Sequence, residues 1–188
     1  DSGDVRRKPV DVASFSLDRR PVNNSQFLEF VKANPDWRRS AVPGIFAESN
    51  YLKHWKSDFA LASTEDGERP VTWVSWFAAK AYCESKGMSL PTTDQWEYAA
   101  ANGGKDTEAI EKSILAWYEK PGTDPLPRAG AGKPNSYGVS DLFGLVWEWT
   151  IDFNGTMIGD ELRSSGTKDG DLFCGAGALG ALDPANYA

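Results

Sequence analysis

Tyr137-Gly138-Val139-Ser140-Asp141-Leu142-Phe143-Gly144-Leu145-Val146-Trp147-Glu148-Trp149 is the stretch on which the fold turns. Its last residues place two tryptophans on either side of a glutamate, the alternation of a strand whose neighbouring side chains point to opposite faces. Asp141 reads as a turn or cap residue. Downstream, Asp152-Phe153-Asn154-Gly155 leads into an acidic, Ser-rich stretch. Then comes Leu172-Phe173-Cys174-Gly175-Ala176-Gly177-Ala178-Leu179-Gly180, whose small residues permit close backbone approach beside a pocket or in packing.

Upstream the sequence is punctuated by helix starts. In Ser89-Leu90-Pro91-Thr92-Thr93-Asp94-Gln95-Trp96, Thr92 serves as N-cap and Gln95 as its reciprocal partner three residues on, so a helix follows and runs to Asn102-Gly103-Gly104. Pro70 to Trp76 reads as a short strand entering a helix capped by Ser75, with Gly87 as the left-handed residue just past its end. Cys83 on that helix reads as a core residue. Asn23 and Gln26 form a third such pair ahead of a stripe of Phe27, Phe30 and Val31, and Asn34-Pro35 ends that helix. Val10 to Val12 and Ser14 to Asp18 read as edge strands. Residues 35 to 70 read as a long loop held down by its aromatics, with His54 exposed between two lysines. Residues 105 to 136 read as a polar connection apart from the apolar run Ile114 to Tyr118.

Composition bounds the rest. The 188 residues, 40% hydrophobic, suffice for one domain with a real core, and eight Trp, eighteen Gly and eleven Pro suggest large flat side chains packed between many turns. A formal charge of −7 lacks the basic footprint of a nucleic-acid binder. No stretch approaches the roughly 20 apolar residues of a membrane helix. Two cysteines, Cys83 and Cys174, rule out a disulfide scaffold and a four-cysteine zinc site, while one bridge or two free thiols both fit. The chain starts at Asp1 without an initiator Met, as a processed or trimmed product would; a removed export signal is one explanation among several, and under it the protein is expected in the periplasm or outside the cell.

Three blocks in order resemble the formylglycine-generating enzyme family, also called sulfatase-modifying factors: Pro21 to Phe27, Pro70 through Ala100, and Tyr137 to Trp149. The resemblance includes the family's pyoverdine-maturation and nitrite-reductase-associated branches. It implies a single domain over 1–188 of α+β class: a C-type-lectin-like variant with a small twisted antiparallel sheet, a few helices and much irregular chain. The family's Arg-containing closing segment and final strand have no counterpart before Ala188. A sheet lacking its last strand exposes an edge, for which a second chain or segment is the expected cover.

For chemistry, the resemblance implies copper- and oxygen-dependent oxidation at two cysteines five residues apart. Cys174 matches the first and Leu179 stands at the second, so linear two-thiolate Cu(I) coordination is not expected. The family's calcium-binding Asn is replaced by Leu145, which leaves Glu148 with Asp141, Asn154 and Asp152 as the oxygen ligands for a calcium ion. Two functions follow. One is an oxidative maturation protein acting on a peptide, a siderophore precursor or a partner protein, with Cys174 reactive and Trp149, Glu148 and Asp152 lining the pocket. The other is a non-catalytic lectin-like module that binds peptide, glycan or protein through its loops.

Overall fold

Asn23 opens the first helix by accepting the Gln26 N–H on Oδ1 at 2.8 Å, while the Gln26 side chain accepts the Asn23 N–H at 3.0 Å. This reciprocal cap satisfies two N–H groups that a helix start otherwise leaves unpaired. The computed structural model, which describes residues 10–105, 107–119 and 125–153, builds α1 (Asn24–Ala33) from this point. Ser75 caps α2 (Trp76–Ser85) through the Ala78 N–H. Thr92 and Gln95 repeat the reciprocal cap at α3 (Thr93–Ala100). Gly87 follows α2 at φ +70°, a conformation open to glycine without a Cβ penalty. A fourth helix, α4 (Thr107–Tyr118), forms within the first half of what the sequence reads as a polar connection and takes in its apolar run.

The apolar stripe of α1 makes the first core. Phe27, Phe30 and Val31 pack with Tyr51, Leu52, Trp55, Ala78 and Tyr82, all buried. Phe27 stacks on Tyr82 at 5.7 Å between centroids, and Phe30 meets the same ring edge-on at 5.6 Å. Each buried aromatic contributes about 2–3 kcal/mol of apolar transfer, so this cluster is what presses residues 51–55 onto α1 and α2. A smaller core joins Ala99 and Ala100 of α3 to Val139 and Leu142, flanked by Phe15, Leu17, Trp96 and Phe143. The block Tyr137 to Trp149 is thereby fastened to α3.

The expected twisted antiparallel sheet is not found: among the described residues there are four α-helices and no strand, and the α+β lectin-like reading is corrected accordingly. The extended segments meet only at isolated bridges, Asn23 with Pro70 and Ser57 with Ala60. The reasons are local. Pro70 has no N–H for a ladder. Three residues on, Trp73 turns to φ +56°, which ends the extended run before Ser75 starts α2. Trp147, Glu148 and Trp149 all line one cleft instead of alternating between faces, and Asp141 at φ +66° and Gly144 at φ +88° fold the approach to them into turns. The sheet edge that called for a second chain is likewise absent among these residues.

The segment of residues 35 to 70 is ordered by its aromatics, as read, with short 3-10 turns at Pro35–Trp37 and Glu65–Glu68. His54 departs from its expected exposure. It is half-buried, with Nε2 at 3.2 Å from Asn24 Oδ1.

Candidate functional site

A cleft of about 630 Å³ lies between the segment 15–22, the start and end of α2, the start of α3, and residues 139–149. Its walls are mostly apolar, among them Phe15, Val22, Val74, Tyr82, Met88 and Leu142, with Asp18, Arg20, Gln95 and Glu148 among the polar groups. An apolar cleft with a few convergent polar side chains is the usual form of a ligand site, and this volume falls within the ordinary range.

The indoles hold its rim. Trp149 donates Nε1–H to the Val74 carbonyl at 3.0 Å and meets Phe153 edge-on at 4.8 Å. Trp76, the first residue of α2, donates to the Thr150 carbonyl at 2.8 Å. Trp96 on α3 donates to Glu148 Oε2 at 2.6 Å. Three tryptophans far apart in sequence thus tie residues 148–150 to the helix starts. Trp147 also lines the cleft but is 53% exposed, with its ring 4.9 Å from that of Trp117 on α4.

Glu148 is the electrostatically unusual member. Burial pushes its carboxyl up to about 7, and nearby Asp141 adds to the rise, while the Trp96 hydrogen bond opposes it. Its side chain retains some accessible surface, and it lines the cleft. Asp152 has a different task. Its Oδ1 accepts both the backbone N–H of Thr93 at 2.8 Å and the Thr93 hydroxyl at 2.9 Å. Burial raises the Asp152 carboxyl, but these bonds to the first turn of α3 outweigh it and the net shift is downward. Asp152 therefore positions α3, and it is not among the cleft-lining residues.

Asp141 is also committed. Its two oxygens accept the N–H groups of Gly130 at 2.5 Å and Gly132 at 2.8 Å, closing the turn between them. A Cβ on Gly132 would fall on Asp141 Oδ1, so the turn leaves no room for another residue there. For calcium the fit is poor: no group of three His, Cys, Asp or Glu that could hold a metal occurs among the described residues. Asp141 and Glu148 each spend carboxylate oxygens on protein donors. Asn154, Cys174 and Leu179 lie outside the described residues. Cys83 is half-buried, packed against the first core as read and also part of the cleft wall, and burial pushes its thiol up, with Asp18 and Glu84 adding to the rise.

The sequence reading brings together Glu148 and Trp149 at the cleft. It misses Trp96, which reads as a helix residue, and Trp76, which reads as the end of a short strand. Their indole N–H groups were the available signal, since a buried tryptophan nitrogen needs an acceptor, but nothing in spacing alone names that acceptor.

A family model described as Sulfatase-modifying factor enzyme 1-like domain matches residues 2–181. The chain belongs to this family. It is 30% identical over 188 residues to the mouse protein named inactive C-alpha-formylglycine-generating enzyme 2, covering 79% of this chain and 61% of that one. To the formylglycine-generating enzyme of Mycobacterium tuberculosis it is 28% identical over 206 residues, covering 75% and 64%. To the hercynine oxygenase of Mycolicibacterium smegmatis it is 28% identical over 168 residues, covering 75% and 38%. The chain therefore spans less than two thirds of the length of each of these relatives. The formylglycine-generating-enzyme-like assignment made from the three sequence blocks holds, and oxidative enzymes stand among the relatives.

Proposed function

We propose that this family member acts in the oxidative maturation of a peptide, a siderophore precursor or a partner protein, with the 630 Å³ cleft as the substrate seat. The observation that carries the reading is the cleft itself, an apolar groove whose rim is fixed by the Trp149–Val74 bond and into which Glu148 presents a carboxyl. A groove of this size takes a few side chains of an extended chain or one small molecule. Relatives named formylglycine-generating enzyme and hercynine oxygenase support oxidation as the reaction class.

In this reading dioxygen is the oxidant and Cys174 the reactive thiol. Leu179 argues against a two-cysteine copper site, because a single thiolate holds Cu(I) less securely than a pair. The relative named inactive favours a second reading, in which the same cleft binds a peptide, glycan or protein without changing it.

A reduced, cysteine-containing peptide pool incubated in air separates the two readings by mass spectrometry. The oxidative reading expects modified peptides that are lost both in Cys174→Ser and in Ala79→Trp, which fills the cleft wall. Modification that survives Cys174→Ser sinks the role of that thiol. Peptide retained unmodified by the native chain, and not by Ala79→Trp, establishes the binding module instead.

A further inference from the structure

We propose that His54 is a proton-operated latch: neutral, it closes residues 49–56 onto the start of α1, and protonated, it releases them together with Trp73 and, next to it, the Val74 wall of the cleft. The geometry begins at Asn24, which is 2% exposed. Its Nδ2 donates to the carbonyls of Asp66, Arg69 and Pro70 at 3.0, 3.2 and 3.3 Å. Those three acceptors fix which end of the amide is nitrogen. Oδ1 is then an acceptor only, and it receives the Trp55 indole N–H at 2.9 Å and His54 Nε2 at 3.2 Å.

His54 must therefore carry its proton on Nε2, which leaves Nδ1 bare in the neutral ring. Nδ1 is the buried side-chain polar atom for which no partner is found among the described residues. A second proton on the ring would sit there, out of water and with no acceptor, and a donor stranded in this way is costly. Burial holds the ring's proton affinity below the ordinary 6.5.

The charged neighbours divide. Asp66, from the turn packed on α1, favours the imidazolium, and Arg39 opposes it. Asp66 is already engaged by Arg69 and by the Ser63 N–H, however, and Arg39 Nη1 is pinned by the carbonyls of Leu52 at 3.3 Å, Lys53 at 3.4 Å and Trp55 at 3.1 Å. Lys53 stands over the Trp73 ring, with its ammonium 3.8 Å from the centroid, and Lys56 is exposed. A cation on His54 thus meets a fixed guanidinium and a carboxylate whose strongest partners lie elsewhere.

The released segment reaches the cleft through one backbone bond. Leu52 donates its N–H to the Trp73 carbonyl at 2.9 Å, and both residues hold positive φ, +49° and +56°. Bulky side chains adopt that conformation only while their surroundings hold them in it. Val74 is next in the chain, lines the cleft and accepts the Trp149 indole. Loosening residues 49–56 removes the restraint on Trp73 and with it the footing of Val74.

His54 is the one histidine of the 188-residue sequence, so its ring resonance in this chain is unambiguous by NMR. The latch expects a titration midpoint below 6.5. It also expects exchange of the Leu52 and Trp55 amides and of the Trp149 indole N–H, corrected for intrinsic chemistry, to quicken as pH falls from 6.5 to that midpoint. The quickening is up to about tenfold per pH unit. In His54→Gln, which can still donate to Asn24 without titrating, the quickening is absent.

A midpoint at or above 6.5, a flat exchange profile in the native chain, or the same quickening in His54→Gln overturns the proposal. Leu52 quickening with an unresponsive Trp149 indole overturns its reach to the cleft. The first two measurements decide the matter even where His54→Gln does not fold.

Discussion

Trp96 Nε1 lies 2.6 Å from Glu148 Oε2, a single bond that joins α3 to the block ending in Trp149. The carboxyl it holds has its proton affinity raised from 4.5 to about 7 by burial, with Asp141 adding to the rise. A carboxyl raised in the folded state contributes stability that is fully present below 4.5 and is lost as pH climbs through 7. Glu148→Gln keeps an acceptor for Trp96 and removes the titration. Urea midpoints measured with a chelator present should show a flatter pH profile for the variant and a gain of about 1–3 kcal/mol over the native chain at pH 8. Parallel profiles for the two proteins would contradict the burial of this group.

Asn24 joins α1 to two separate stretches of loop through five hydrogen bonds. Asn24→Ala leaves three carbonyls, an indole N–H and the His54 Nε2–H without it and should destabilise the chain by about 3 kcal/mol. Denaturant unfolding at pH 7.5, where His54 is neutral, is the check. A loss under ~1 kcal/mol would mean that water replaces the amide at little cost.

Asp152 acts on α3 rather than in the cleft. Its lowered carboxyl contributes stability above the ordinary 3.8, and that contribution is lost as pH falls through the depressed value. Asp152→Asn should cost about 1 kcal/mol at pH 7, in the manner of a lost helix-start interaction, and the two proteins should converge in acid. A melting series from pH 7 down to 2 reads this directly; a difference that persists at pH 2 would point to packing instead of charge.

The described carboxylates should not by themselves hold a calcium ion that stabilises this chain measurably. Asp141 is engaged by Gly130 and Gly132, and Glu148 by Trp96, so the ion would have to displace internal donors. Thermal melts in EDTA and in millimolar calcium are expected to coincide, since a ligand of the native state would raise the midpoint by mass action. A clear upward shift with calcium would show that residues outside those described complete a cage.

What the sequence disclosed was local chemistry. Asn23 with Gln26 and Thr92 with Gln95 are three-residue patterns whose partners lie within one turn, and both caps form as read. Phe27, Phe30 and Val31 share a face because helical spacing puts them there. The missing sheet shows the opposite case. Val71 does pair its N–H with the Val22 carbonyl, but Trp73 then leaves the extended region, and no pattern of hydrophobic residues announces a positive φ at a tryptophan. The cleft was half legible. Glu148 and Trp149 were marked by the block that carries them, whereas Trp96, Val74 and Asn24 act through bonds to residues tens of positions away, which composition and periodicity do not encode.

The cleft walls come from residues 15–27, 71–95 and 139–149. No short excised piece carries them together, so a fragment begun at α1 or stopped at α3 would keep helices and lose the groove. Dissection by truncation would then report loss of binding for nearly every cut, whichever residue touches the ligand. Point substitutions in the intact chain are the informative route, and a tag or fusion belongs on the far side of the molecule from Phe15 and Leu17.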